Sequence, residues 1–219
     1  MYIAWFLTRT IFCFFNCNKA RAFVNGKDIL HIEPLEAVEK LKTTLRICGT
    51  FKKYYFTYKT KIAQENPQNQ WKAQLGALFH RLDQFLERCR DILDLCEQVV
   101  QFSKLSQIEI GGTKGKILSA ETKEVYDTFI HSFQLFKEVN YDMLDVNIKK
   151  FEEDFYVFRT TIKELERKLG SILVKALEDC STISASFKLV ESFSGLLERE
   201  LIQQDLEKKQ TDIISSYFK

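Results

Sequence analysis

Two prolines in 219 residues are too few for a chain of many short turns, and eight glycines add little further punctuation. Long uninterrupted helices are what so few breakers permit. Neither sign of charge dominates, because 32 basic residues stand against 30 acidic ones, spread evenly. Nucleic-acid binding wants a concentrated basic face, and none is written here. The three histidines, His31, His80 and His131, are scattered, with no second histidine or cysteine at ligand spacing. No metal ligands are therefore assigned. Apolar runs are short too. Met1 to Asn18 is the most apolar stretch, but Thr8-Arg9-Thr10 interrupts it, well below the ~18 residues of a spanning helix. Its one early charge, Arg9, lies mid-segment rather than ahead of the apolar core, as a signal peptide would need. A membrane partner is not expected. The competing reading is a membrane-associated helical protein anchored by residues 1–18.

What is abundant is phenylalanine, 19 residues of it, within a chain that is 45% apolar. Bulky aromatic knobs suit helix–helix cores. The six cysteines, Cys13, Cys17, Cys48, Cys89, Cys96 and Cys180, include no C-x-x-C pair. Cys89 and Cys96 share a helix face but stand about 10 Å apart along the axis, too far to bridge. The four after residue 30 read as small buried hydrophobes in a reducing compartment.

Periodicity sets the fold class. Glu33-Pro34 starts a helix whose apolar set is Leu35, Val38, Leu41, Leu45, Cys48, Tyr55 and Ile62. Asn66-Pro67-Gln68-Asn69 closes it as a polar loop. Leu78, Leu82, Phe85, Cys89, Ile92, Cys96 and Val99 then alternate steps of four and three. A second row, Phe79, Leu86, Leu93 and Val100, widens that stripe, so more than one neighbour should cover this helix. Ile108 to Gly115 reads as a turn or a short extended excursion, and Ser119 as the cap of a helix carrying Val125, Tyr126, Phe129, Phe133 and Phe136. From Leu144 through Ile148, Phe151, Phe155, Phe158, Ile162, Leu165, Leu169 and Ile172 to Ala176 the spacing predicts one helix roughly 50 Å long, with Gly170 weakening or bending it. A last pattern runs through Phe187, Val190, Phe193, Leu197 and Leu201. The expectation is an all-α protein, an elongated bundle of about five or six long amphipathic helices.

Candidate chemistry is sparse. Gly115-Lys116 resembles part of a phosphate loop, yet Ile110 stands where the earlier glycine belongs and Ile117 replaces the hydroxyl residue. Glu152-Glu153-Asp154 reads as a solvated helix face rather than acid–base machinery. In Phe51-Lys52-Lys53-Tyr54-Tyr55-Phe56 the helical spacing packs Phe51, Tyr55 and Tyr58 inward with the lysines in water, and leaves little for stacking on single-stranded nucleic acid. No catalytic, cofactor-binding or metal residue is assigned.

Specific strings say more. They begin with Phe79, Arg81, Leu82, Asp83, Phe85, Leu86 and Arg88, and continue with Lys104, Leu105, Ile108, Glu109, Gly111, Gly112, Gly115, Leu118 and Ser119. Tyr141-Asp142, Leu144-Asp145, Phe151, Asp154 and Phe158 follow. Leu165-Glu166-Arg167, Leu169, Ala176, Phe187-Lys188-Leu189, Leu196 to Arg199 and Ile202 close the series. In this order, from Phe23 to Asp205, the chain resembles the amino-terminal stem of dynein heavy chains, most closely the axonemal outer-arm type. Glu200 departs from the proline frequent there, and residues 1–22 carry no matching string. A division into an apolar segment, 1–24, and a stem-like region, 25–219, follows. The family's ATPase ring and microtubule-binding stalk do not fit in this length. The resemblance thus implies a fragment, a truncated gene model or a stem-only paralogue. It also implies a structural role in the cytoskeleton of the ciliary or flagellar axoneme, without enzymatic activity. The implied partners are dynein intermediate and light chains and other heavy chains, with microtubules reached only indirectly.

Overall fold

The computed structural model describes residues 24–65, 76–197 and 199–207. Within them the chain is helical, with no strand. The elements are α1 (Pro34–Glu65), α2 (Gly76–Phe102), a 3-10 turn (Ser103–Gln107), α3 (Gly115–Lys137), α4 (Lys150–Asp179) and α5 (Ile183–Ser192). Residues 200–207 are helical as well. The all-α expectation holds. The anchor considered for residues 1–18, the loop at Asn66–Asn69, Cys13 and Cys17 lie outside the described residues.

The chain divides into two compact units, one of residues 1–97 and 140–151, the other of residues 98–139 and 152–219. In the first, Glu33 caps α1 by accepting from the Glu36 amide at 3.0 Å, with Pro34 in the first turn. The apolar face of α1 buries Val38, Leu41, Cys48, Phe51 and Tyr55, as its spacing requires. Cys48 and Leu86 centre a cluster with Leu45, Leu82 and Phe85, while Phe79 of α2 meets Tyr55 at 4.6 Å and Phe51 at 6.0 Å between ring centroids. Lys52–Asp83 at 2.5 Å and Lys42–Glu97 at 2.8 Å tie the flanks of the two helices. Leu35 is the exception: it is 58% exposed, because it lies in the first turn with no neighbour to cover it.

The second unit is built on phenylalanine. Phe102 and Phe129 stack at 4.5 Å, Phe129 meets Phe158 at 6.3 Å, and Phe136 meets Phe158 edge-on at 5.4 Å. Phe158, Ile162, Leu165, Leu169, Ile172 and Ala176 of α4 are all buried, as the three-and-four spacing demands. Lys168–Glu124 at 2.9 Å and Lys175–Glu121 at 3.8 Å link α4 to α3 along their exposed edges.

Three sequence expectations are corrected. Leu144 to Ile148 is not the first turn of the long helix, which starts at Lys150 and is about 45 Å long over its 30 residues. Asp142 Oδ1 accepts from the Leu144 amide at 2.9 Å and Asp145 Oδ1 from the Asn147 amide at 3.0 Å. These carboxylates hold the backbone in turns that compete with helix, while Leu144 is buried all the same. Ser119 lies inside α3, which begins at Gly115, and accepts from the Ile110 amide at 3.0 Å. Phe187 is 76% exposed rather than buried, since Leu189 and Phe193 define the covered side of α5. Gly170 leaves α4 unbroken; a methyl group there would stand 2.4 Å from Asp205 Oδ2, so the glycine admits the close approach of residues 200–207.

Candidate interaction surface

Each residue type weighed for chemistry is accounted for by packing or by solvent. His31, His80 and His131 are exposed, and no group of three or more metal-ligand side chains occurs among the described residues. Cys48, Cys89 and Cys96 are buried, and Cys180 is half-buried, against the expectation that all four would be covered. Burial pushes the Cys89 and Cys96 thiols up to about 12, which keeps them protonated and poor nucleophiles. Of the aromatic stretch in α1, Phe51 and Tyr55 are buried and Tyr58 only half-buried, while Tyr54 and Phe56 are 49% and 45% exposed.

The glycine stretch is a structural joint. Ile108 is extended, Gly112 turns the chain at φ +95°, and α3 follows from Gly115. Asp179, the last residue of α4, accepts from the Lys114 amide at 2.8 Å and from Thr113 Oγ1 at 2.5 Å. Those two bonds, the amide first, hold its carboxyl below the ordinary value of 3.8. An amide at the start of α3 that a phosphate would use is thereby taken by the protein's own carboxylate.

Two buried cations do the positioning. Arg88, 4% exposed, donates from Nη1 to the Met143 carbonyl at 3.1 Å and lies 4.1 Å over the Phe151 ring. Arg199 donates to Glu166 and to Gln101, and covers the Phe102 ring at 4.9 Å. Sequence reasoning set both arginines among the matched strings without seeing them as core. A signal was present: Arg88 falls in register with Ile92, Leu95 and Val99, and Glu166 with Ile162, Leu169 and Leu173.

The outer faces carry the remaining apolar surface. Tyr156 and Val157 on α4 are 74% and 63% exposed, and Ile183 on α5 67%. No helix among the described residues is long and apolar enough to cross a membrane. The described residues therefore offer exposed apolar side chains and rigid buried ties.

Comparison with known proteins identifies the family. The flagellar outer arm dynein beta chain of Chlamydomonas reinhardtii is 51% identical over 199 residues, which is 91% of this chain and 4% of that one. The ciliary dynein beta chain of Heliocidaris crassispina is 31% identical over 201 residues, 90% of this chain and 4% of the relative. Axonemal dynein heavy chain 11 of Sus scrofa is 30% identical over 197 residues, 88% and 4% respectively. The chain thus spans about 4% of the length of these relatives, all of them ciliary, flagellar or axonemal by name, in keeping with the axonemal location implied above. Residues 12–219 match the family described as dynein heavy chain, N-terminal region 1, and the chain belongs to that family.

Proposed function

We propose that this chain is a non-catalytic scaffold of an axonemal dynein stem, holding other subunits through its helix faces. The supporting observation is the contrast between its interior and its surface. Its ionic groups at depth, Arg88 and the Glu166–Arg199 pair, are spent on fixing helices. Its exposed large side chains, Tyr156, Val157, Ile183 and Phe187, are apolar or aromatic. Surfaces of this kind bind by complementarity and by desolvating aromatic anchors, with no chemistry required. Dynein intermediate and light chains, and a second heavy chain, are the partners such a stem would hold in microtubule-based ciliary movement. Capture of purified axonemal intermediate chains on the immobilised chain tests this. Enrichment over a charge-matched helical control supports the scaffold role, and equal recovery on both rejects it.

A further inference from the structure

Within the second unit, α4 shows water a face as regular as its buried one. α3 and α4 run antiparallel, since Glu121 pairs with Lys175, Glu124 with Lys168 and Phe136 with Phe158. Leu135 and Val157 each lie about three helical turns from the Glu124–Lys168 pair, so both fall on the edge that this pair marks. Leu135 is 57% exposed, and Tyr156 beside Val157 is more so. Three apolar or aromatic side chains thus stand in water at one end of the helix pair. Past them the character of α4 changes. Arg159, Lys163 and Arg167 recur every fourth residue, which makes one ridge of the helix surface, and all three are exposed. None has a carboxylate at ion-pair distance among the described residues; Arg159 only overlies the Phe155 ring, at 5.8 Å. Lys168 and Lys175, by contrast, are already paired with α3. Glu164 lies in the neighbouring ridge with Tyr156 and Thr160, so the cationic ridge itself holds no acid.

We infer that this face of α4 docks an acidic amphipathic helix of a partner protein. Charge complementarity specifies the occupant. Carboxylates at every fourth residue of such a helix face Arg159, Lys163 and Arg167, and apolar side chains at one end of it cover Leu135, Tyr156 and Val157. Ridges of this spacing pack into the matching grooves of a second helix. Exposed cations add little to the stability of the free chain, so their effect falls on the encounter and on the rejection of basic partners. This rests on the scaffold reading and gives the chemistry of one of its contacts. Intermediate-chain capture through another face would leave that reading standing if the α4 contact failed, so the two ideas fail separately.

The probe is a blocked alanine-rich helix of about 18 residues, long enough to hold its form. It carries two leucines at one end and three glutamates spaced every fourth residue after them, and is titrated into the isotope-labelled 219-residue chain. The amides of Leu135 and of Tyr156 to Arg167 should shift, while those of Ile183 and Phe187 stay in place. A peptide of the same composition with its glutamates spread around the helix should bind at least about tenfold more weakly. The double variant Lys163→Glu with Arg167→Glu, at two exposed positions, should weaken the glutamate peptide by a similar factor and favour a lysine counterpart. If the amides of this face do not move, if the spread peptide binds as tightly, or if the charge-reversed variant binds like the parent, the docking face is wrong. Shifts at the same amides that grow with the concentration of the chain alone would make a second copy the occupant and overturn the acidic helix.

Discussion

The guanidinium of Arg88 lies 4.1 Å over the Phe151 ring and donates to the Met143 carbonyl, joining residues more than fifty positions apart. A planar cation with several donors can stack and donate at once, which lysine cannot do. Arg88→Ala should lower stability to urea by about 2–4 kcal/mol, since it strips a buried carbonyl of its donor and removes the cation from the ring. Arg88→Lys should recover less than half of that. A loss under about 0.5 kcal/mol for Arg88→Ala would remove this contact from the account.

Phe158 is 2% exposed and meets both Phe129 and Phe136. Phe158→Ala should cost about 3–5 kcal/mol in thermal or urea unfolding, through lost transfer energy and the cavity left behind. A cost below about 1 kcal/mol would mean that the register of α4 is misread.

The Glu166–Arg199 pair has both side chains only 12% exposed. Arg199→Met alone should destabilise by about 3–5 kcal/mol, because Glu166 is left charged and poorly solvated. The double variant Glu166→Gln with Arg199→Met should lie much closer to the parent. Additive losses in this double-mutant cycle would argue against coupling.

Acid should loosen the glycine joint. The folded-state pKa of Asp179 is depressed, so the carboxylate stabilises the fold above its unfolded-state value near 3.8, and that contribution disappears as pH falls through the lower folded value. Asp179→Asn should flatten the stability profile below about pH 4 and leave its shape near neutrality unchanged. Identical acid limbs in the two proteins would contradict the assignment.

Much of this could be read in advance. Steps of three and four in α2 and α4 named residues that prove buried, from Phe79 and Cys89 to Ile172 and Ala176. Periodicity reports which side a residue occupies, however, and not whether another element reaches it. Leu35 and Phe187 keep the spacing and are exposed because each lies beyond the cover of its neighbours. Leu144 and Ile148 keep it too, but the side chains of Asp142 and Asp145 draw the amides of Leu144 and Asn147 into competing turns. The cap of α3 was unreadable for another reason: its carboxylate, Asp179, comes from 65 residues downstream of Lys114. Buried charge was the remaining omission. Arg88 and Glu166 are core residues only because Met143, Phe151 and Arg199 meet them, and those partners are distant in sequence.

Sedimentation velocity of the 219-residue chain, mixed with a purified axonemal dynein intermediate chain, tests the scaffold role most directly. A faster species containing both proteins at micromolar concentration, formed without nucleotide, is the predicted result. Two boundaries that sediment independently across that range, or a complex that forms only when a nucleotide is supplied, would contradict it.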